Sequence, residues 1–217
     1  MNVSHHPGED LLWDYYRGAL PAGKALVVRT HLELCAHCRG DLNLFDAVGS
    51  AMLEQVEGVA MADNALDLAL ARIERPEEAS VEAQPAALPA FLNGFDLPPG
   101  LHDSAIRGRY WAAPGVWMAP VDTGAGKWAK TFLMFVKAGM VMPEHTHRGL
   151  EMTLVLKGRF SDVHGDYRVG DVTCCDDDIC HSPAIAADED CLCLVYQEAP
   201  IIPKTWLGKV LQPFARI

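Results

Sequence analysis

The sequence predicts an α+β protein in two domains: a small bundle of about four helices over residues 1–75, then a β-barrel or jelly roll over 91–217. Three observations predict it. Up to residue 73, apolar side chains recur at helical spacing. From about residue 91 the texture changes to short β-rich segments broken by Gly, Pro and Asp. Between the two, residues 76–90 are rich in Pro, Ala and Glu with no apolar period, and read as a linker. At 217 residues the chain has length enough for two modest cores.

Pro7-Gly8-Glu9-Asp10 opens the first helix with carboxylates in its first turn, where they complement the macrodipole. Leu11, Leu12, Tyr15, Tyr16, Ala19 and Leu20 follow at helical spacing. Pro21 starts a second helix carrying Leu26, Val27, Thr30, His31 and Leu34. A third is expected from about Ala36 through Leu42, Phe45, Val48, Met52 and Val56, ending near Gly58. A fourth is expected from Met61 to Ile73. Its Ala65, Leu66, Leu68, Ala69, Leu70 and Ile73 exceed what so small a bundle can cover, so this helix meets a partner protein, its own bundle or the next domain. In the β half, strands are expected over 131–136, 152–156, 159–163 and 192–197.

The helical half is organised around His31, Cys35 and Cys38. Residues four apart share a helix face, so the His31 imidazole and the Cys35 thiolate can meet at one point, with Cys38 three further on. Two thiolates and an imidazole are the donor set that selects zinc in a closed tetrahedral site. The fourth ligand can come from the tract His5-His6-Pro7, and spacing alone leaves His5 and His6 both open. A helix end with two merely buried cysteines is the plainer reading, and the histidine-plus-CxxC spacing argues against it. His37, flanked by ligands on both sides, is read as a solvated bystander. Four short helices make a thin core that a structural zinc would help to hold.

A second candidate site lies in the β half. His145 and His147 are two apart, so on a strand both project from one face. Arg148-Gly149-Leu150 can turn the chain and bring Glu151 into the same cavity, and His181 follows Gly170-Asp171 by a further strand's length. Three imidazoles and a carboxylate suit a divalent transition metal. Cys191 and Cys193 share a face of the last long strand and read as small hydrophobes in the barrel interior, with a redox role as the alternative. Cys174 and Cys175 point to opposite faces, and Cys180 adjoins His181, where its oxidation could disturb the site.

Composition excludes several classes. No run of about 18 apolar residues exists and the N-terminus lacks a basic-then-apolar pattern, so the expectation is a soluble cytoplasmic protein with no membrane association. Seven cysteines, two of them adjacent, are no secreted disulfide framework and fit a reducing compartment. The net charge of -11 falls mostly on residues 1–85, which should repel nucleic acid and attract a basic partner. Direct nucleic-acid binding is not expected.

Gly139, His145, His147, Glu151 and Gly158 resemble the first motif of the cupin family at every fixed position. The second cupin motif is weaker: Gly165, Gly170, Asp171 and His181 fall in suitable places, but its usual proline is absent. The resemblance assigns the four cupin metal ligands to His145, His147, Glu151 and His181. Taken with His6, His31, Cys35 and Cys38, nearly the whole chain resembles the zinc-binding anti-sigma factors of the ChrR type. The resemblance selects His6 over His5 as the fourth zinc ligand. It also implies a helical domain that sequesters an extracytoplasmic-function sigma factor one-to-one, and a cupin domain that senses an oxidant such as singlet oxygen and triggers release. The cofactors it implies are Zn2+ in the N-terminal site and Zn2+ or another divalent transition metal in the cupin site. A second reading is a metal-dependent cupin dioxygenase or isomerase with an accessory zinc-binding helical module, although no further catalytic carboxylate or base stands out.

Overall fold

A computed structural model describes residues 3–74, 88–124 and 129–203. Four helices come first: α1 (Glu9–Tyr16), α2 (Ala22–Leu34), α3 (Ala36–Glu54) and α4 (Ala65–Ile73). Glu9 and Asp10 sit in the first turn of α1. Its end is a Schellman turn: Gly18 N–H reaches the Tyr15 carbonyl at 3.0 Å and Ala19 N–H the Asp14 carbonyl at 2.8 Å. Gly18 takes the left-handed φ of 69° that such a turn requires. Between α2 and α3 the chain breaks at one residue, Cys35, whose backbone is extended. The third and fourth helices are shorter than their apolar spacing predicts. The former stops at Glu54, and the latter starts at Ala65, after Asn64, a residue type favoured ahead of a first helical turn. Most of the expected linker, residues 75–87, lies outside the described residues.

A short helix α5 (Pro99–His102) leads into thirteen strands among the described residues. They are β1 (Ala105–Ile106), β2 (Tyr110–Ala113), β3 (Val116–Asp122), β4 (Lys130–Val136), β5 (His145–Thr146), β6 (Glu151–Lys157), β7 (Arg159–Asp162), β8 (Gly165–Arg168), β9 (Val172–Cys175), β10 (Cys180–His181), β11 (Ala184–Ile185), β12 (Cys191–Gln197) and β13 (Ile202–Pro203). The large sheet runs β1-β3-β4-β12-β6-β9, with β2 also on β3, and two three-stranded sheets, β10-β5-β13 and β11-β7-β8, complete the fold. Every pairing is antiparallel. This is the expected architecture, helices followed by a cupin-like β half.

Strand β12 is buried on both faces, and that sets the layout. Cys191, Cys193 and Val195 point into the β half, among Met118, Phe132, Phe160 and Ile185. Leu192, Leu194 and Tyr196 point the other way and share a core with Leu26, Val27, Val28 and Leu32 of α2. The contact is close enough to need a glycine. A Cβ on Gly23 would lie 2.4 Å from Thr131 Oγ1 and 2.6 Å from the Tyr196 ring. Lys24 adds an ion pair to Glu198 at 2.7 Å, and the Glu33 carboxylate accepts from Gly100 N–H at 3.0 Å. Helix α2 is therefore seated on the sheet, whereas α4 buries no residue and the far half of α3 leaves Val48, Met52 and Leu53 exposed.

Candidate metal centres

The break at Cys35 builds the first centre. Its extended backbone (φ -114°, ψ 107°) turns the sulfur back over α3, where it lies 3.5 Å from Cys38 N–H. From the end of α2, His31 points Nε2 at Cys38 Sγ, 3.3 Å away. His6 completes the group, with Nδ1 3.4 Å from Cys35 Sγ and 3.3 Å from Cys38 Sγ. One donor atom from each of the four lies within 4.8 Å of the others. His5 turns elsewhere, packing at a tilt against Tyr167 with ring centroids 4.6 Å apart. His37 is exposed and stands near Asp41.

The electrostatics fit a dication. The Gly170 carbonyl accepts from His31 Nδ1 at 2.8 Å, which leaves the lone pair on Nε2, facing the sulfurs. Burial lowers the His31 pKa to about 4, so the imidazole is neutral and free to ligate. Burial, then the neighbouring Cys35, pushes the Cys38 thiol up to about 12. Without a cation the Cys38 sulfur keeps its proton, and a dication would take its place. Two neutral imidazoles and two cysteine sulfurs suit zinc in a closed, structural site.

The second centre is assembled by strand pairing. Antiparallel register sets His181 on β10 directly opposite His145 on β5, and Glu151 opens β6 beside them. His181 Nε2 lies 3.2 Å from His145 Nε2 and 3.1 Å from His147 Nε2. Behind the cluster, His145 Nδ1 donates to the Pro143 carbonyl at 2.8 Å and His181 Nδ1 to the Asp162 carboxylate at 2.9 Å. With Nδ1 of both rings engaged at the back, the two Nε2 atoms face each other across 3.2 Å, an arrangement that suits a cation between them. The buried His147 Nδ1 stands 3.3 Å from Glu151 Oε2, which ties the two residues together at the back of the cluster. Burial works against the Glu151 charge, but contacts from His147 and then Gln197 outweigh it and hold the carboxyl below its ordinary range. Gln197 Nε2 donates to Glu151 Oε2 at 2.6 Å. The set opens on an apolar cavity of about 60 Å³, lined among others by Met118, Met134, Met142, Cys191 and Cys193.

All eight residues expected as ligands thus fall into two clusters of four, buried except for the half-buried His6. Sequence reading missed their supports, Asp162, Gln197 and the Gly170 carbonyl. Asp162 and Gln197 stand in unremarkable strand positions, and only the fold reveals them.

Comparison with known proteins completes the picture. A zinc-finger family model matches residues 9–39, and a ChrR cupin-like domain model matches residues 104–200. The anti-sigma-E factor ChrR of Cereibacter sphaeroides is 35% identical over 219 residues, spanning 100% of both chains. This chain belongs to the ChrR family of anti-sigma factors. The crystal structure of Rhodobacter sphaeroides SigE in complex with the anti-sigma ChrR matches with a TM-score of 0.70 at 31% identity, over 90% of this chain and 99% of that one. An RmlC-like cupin protein from Ralstonia eutropha, 18% identical with a TM-score of 0.41 over 48% of this chain and 69% of its own, is too remote to add to this. The ChrR match sets the chain among regulators rather than among cupin dioxygenases and isomerases. No helix of the described residues is long and apolar enough to cross a membrane.

Proposed function

We propose that this ChrR-family chain is a cytoplasmic regulator of transcription that sequesters an extracytoplasmic-function sigma factor one-to-one. Its helical half grips the sigma factor, and its β half releases it on an oxidative signal such as singlet oxygen. His6, His31, Cys35 and Cys38 hold Zn2+, which fixes the α2–α3 junction. His145, His147, Glu151 and His181 hold Zn2+ or another divalent transition metal in the sensory half.

The observation that carries this reading is the uncovered apolar surface of α3 and α4. Met52, Leu53, Leu66, Leu68 and Ile73 are each 60–80% exposed. Burying such side chains yields about 1.5–3 kcal/mol each, so a handful offset an association cost on the order of 4–15 kcal/mol. An acidic helical half adds attraction for a basic, DNA-binding partner. The oxidant reading is supported by the sulfur-lined cavity beside the second centre. The Cys191 hydrogen bond and then burial hold the Cys193 thiol protonated, which suits an oxidant that attacks neutral sulfur or imidazole rather than a thiolate.

The test is Leu66→Glu combined with Leu70→Glu, one turn apart on the exposed face of α4. Binding to the sigma factor, measured by titration calorimetry, should weaken about 100-fold or more, roughly 2.7 kcal/mol. Metal content should be unchanged. Full affinity in the double variant would move the docking surface elsewhere.

A further inference from the structure

Three consecutive residues of the β half reach His31 or the segment just ahead of His6, and none of them is among the ligands of the first centre. The Gly170 carbonyl accepts from His31 Nδ1 at 2.8 Å. The Asp171 carboxylate accepts from Ser4 N–H at 2.7 Å and His5 N–H at 3.0 Å. Val172 N–H donates to the His5 carbonyl at 3.1 Å. Ser4 and His5 immediately precede His6, so the segment that delivers the fourth ligand is pinned along one edge of the turn between β8 and β9. Both histidines of the site are held from the same turn.

Asp171 is built for this. Its side chain is wholly buried, and Oδ2 also accepts from Arg168 N–H at 2.9 Å. A buried carboxylate is stable only where several donors converge on it. Here two of the backbone donors come from the opposite end of the chain, 166 and 167 residues away. Strand β9, which starts at the next residue, pairs its far end, Cys175, with Glu151 of the second centre. The turn therefore lies in covalent line with one centre and in hydrogen-bond contact with the other.

We infer that Asp171 is a positioning residue for the zinc site of the helical half, clamping Ser4 and His5 so that His6 is presented to the metal, and that zinc retention in the helices depends on this turn of the β half. The inference rests on the zinc reading of His6, His31, Cys35 and Cys38.

The experiment uses the full chain carrying Asp171→Asn, which keeps the shape of the side chain but replaces one acceptor oxygen by a donor. Zinc loss to a chelator is timed, and a cobalt-loaded sample is examined by absorption. Thiolate-to-cobalt charge transfer reports the first centre alone, because the second offers no sulfur ligand in its cluster of four. Loss of a supporting partner typically costs about 10- to 100-fold in metal affinity. Asp171→Asn should therefore lose zinc at least about 10-fold faster. Its cobalt spectrum should shift toward that of His6→Ala, and the Asp171→Asn/His6→Ala double variant should be no worse than His6→Ala alone. A general structural defect would instead add to the His6→Ala effect and leave the ligand field unchanged. Should Asp171→Asn fail to fold, His5→Pro removes one clamped N–H, along with the His5 ring contact on Tyr167, and changes no residue of the β half; the same acceleration is expected. Wild-type zinc kinetics and spectrum in the variants, or additive effects, overturn the inference alone. Absence of thiolate–cobalt absorption in the wild type overturns the zinc reading and the inference with it.

Discussion

At Cys35 the backbone leaves the helical region for a single residue, and so one side chain ends α2, caps α3 and presents its sulfur to the first centre. The energetic weights of these roles differ. A lost helix cap costs about 1 kcal/mol, whereas zinc in such sites is worth on the order of 10 kcal/mol of folding free energy. Cys35→Ala should therefore lose one equivalent of zinc and far more stability than the cap explains. Thermal unfolding with and without chelator checks this: chelator should lower the wild-type midpoint and leave the variant where it is. His31 gives a pH prediction for the metal-free chain. Its folded pKa, about 4, lies below the ordinary 6.5 of a histidine, so the unfolded chain binds the proton first as pH falls. Stability is then full above pH 6.5 and lost as pH drops toward 4, at up to about 1.4 kcal/mol per pH unit. His31→Gln should flatten that slope in denaturant titrations. At this scale the eight candidate ligands were legible, because ligand spacing is a local property of the chain. The choice between His5 and His6 was not local, since it turns on where Asp171 and Tyr167 catch the preceding residue.

Among elements, α2 answers to the sheet more than to its fellow helices. The consecutive run Leu26-Val27-Val28 supplies more apolar surface than one face of a bundle helix uses, and that excess is the sequence signal for a second packing surface. Gly23 makes the seat possible. Helix propensity alone favours Gly23→Ala by about 1 kcal/mol, but with atoms 2.4 Å and 2.6 Å from the new Cβ the overpacking cost of about 1–3 kcal/mol should win. A net loss of up to about 2 kcal/mol in chemical denaturation is expected, and a gain would mean that α2 sits farther from β12. The four helices and the long strands β4, β6 and β12 were legible from period and turn residues, whereas β3, as long as any of them but buried at almost every position, was not. Their ends were less so, because the third and fourth helices carry apolar residues past the point where intrahelical bonding stops. The short strands β5 and β10 could not be read from propensity. They exist because pairing sets His145 opposite His181.

For the molecule as a whole, the helical and β halves meet through one shared core and the turn at Gly170–Asp171. The sequence showed two textures with a break between them, but contacts between residues more than 130 positions apart leave no local trace. If the β half is the sensor, then emptying its metal centre should alter release and spare the grip. His145→Ala should keep sigma-factor affinity within about 3-fold of wild type, a difference of about 0.7 kcal/mol, while blunting release under photosensitised oxidation. Constitutive release by that variant would mean that the second centre supports the grip itself. The most direct measurement is co-expression of the full chain with an extracytoplasmic-function sigma factor encoded beside it, followed by size-exclusion chromatography and metal analysis of the peak. A stable one-to-one complex that contains zinc, and is lost with Cys35→Ala, is the predicted result. A metal-loaded chain that elutes alone beside free sigma factor would contradict the account.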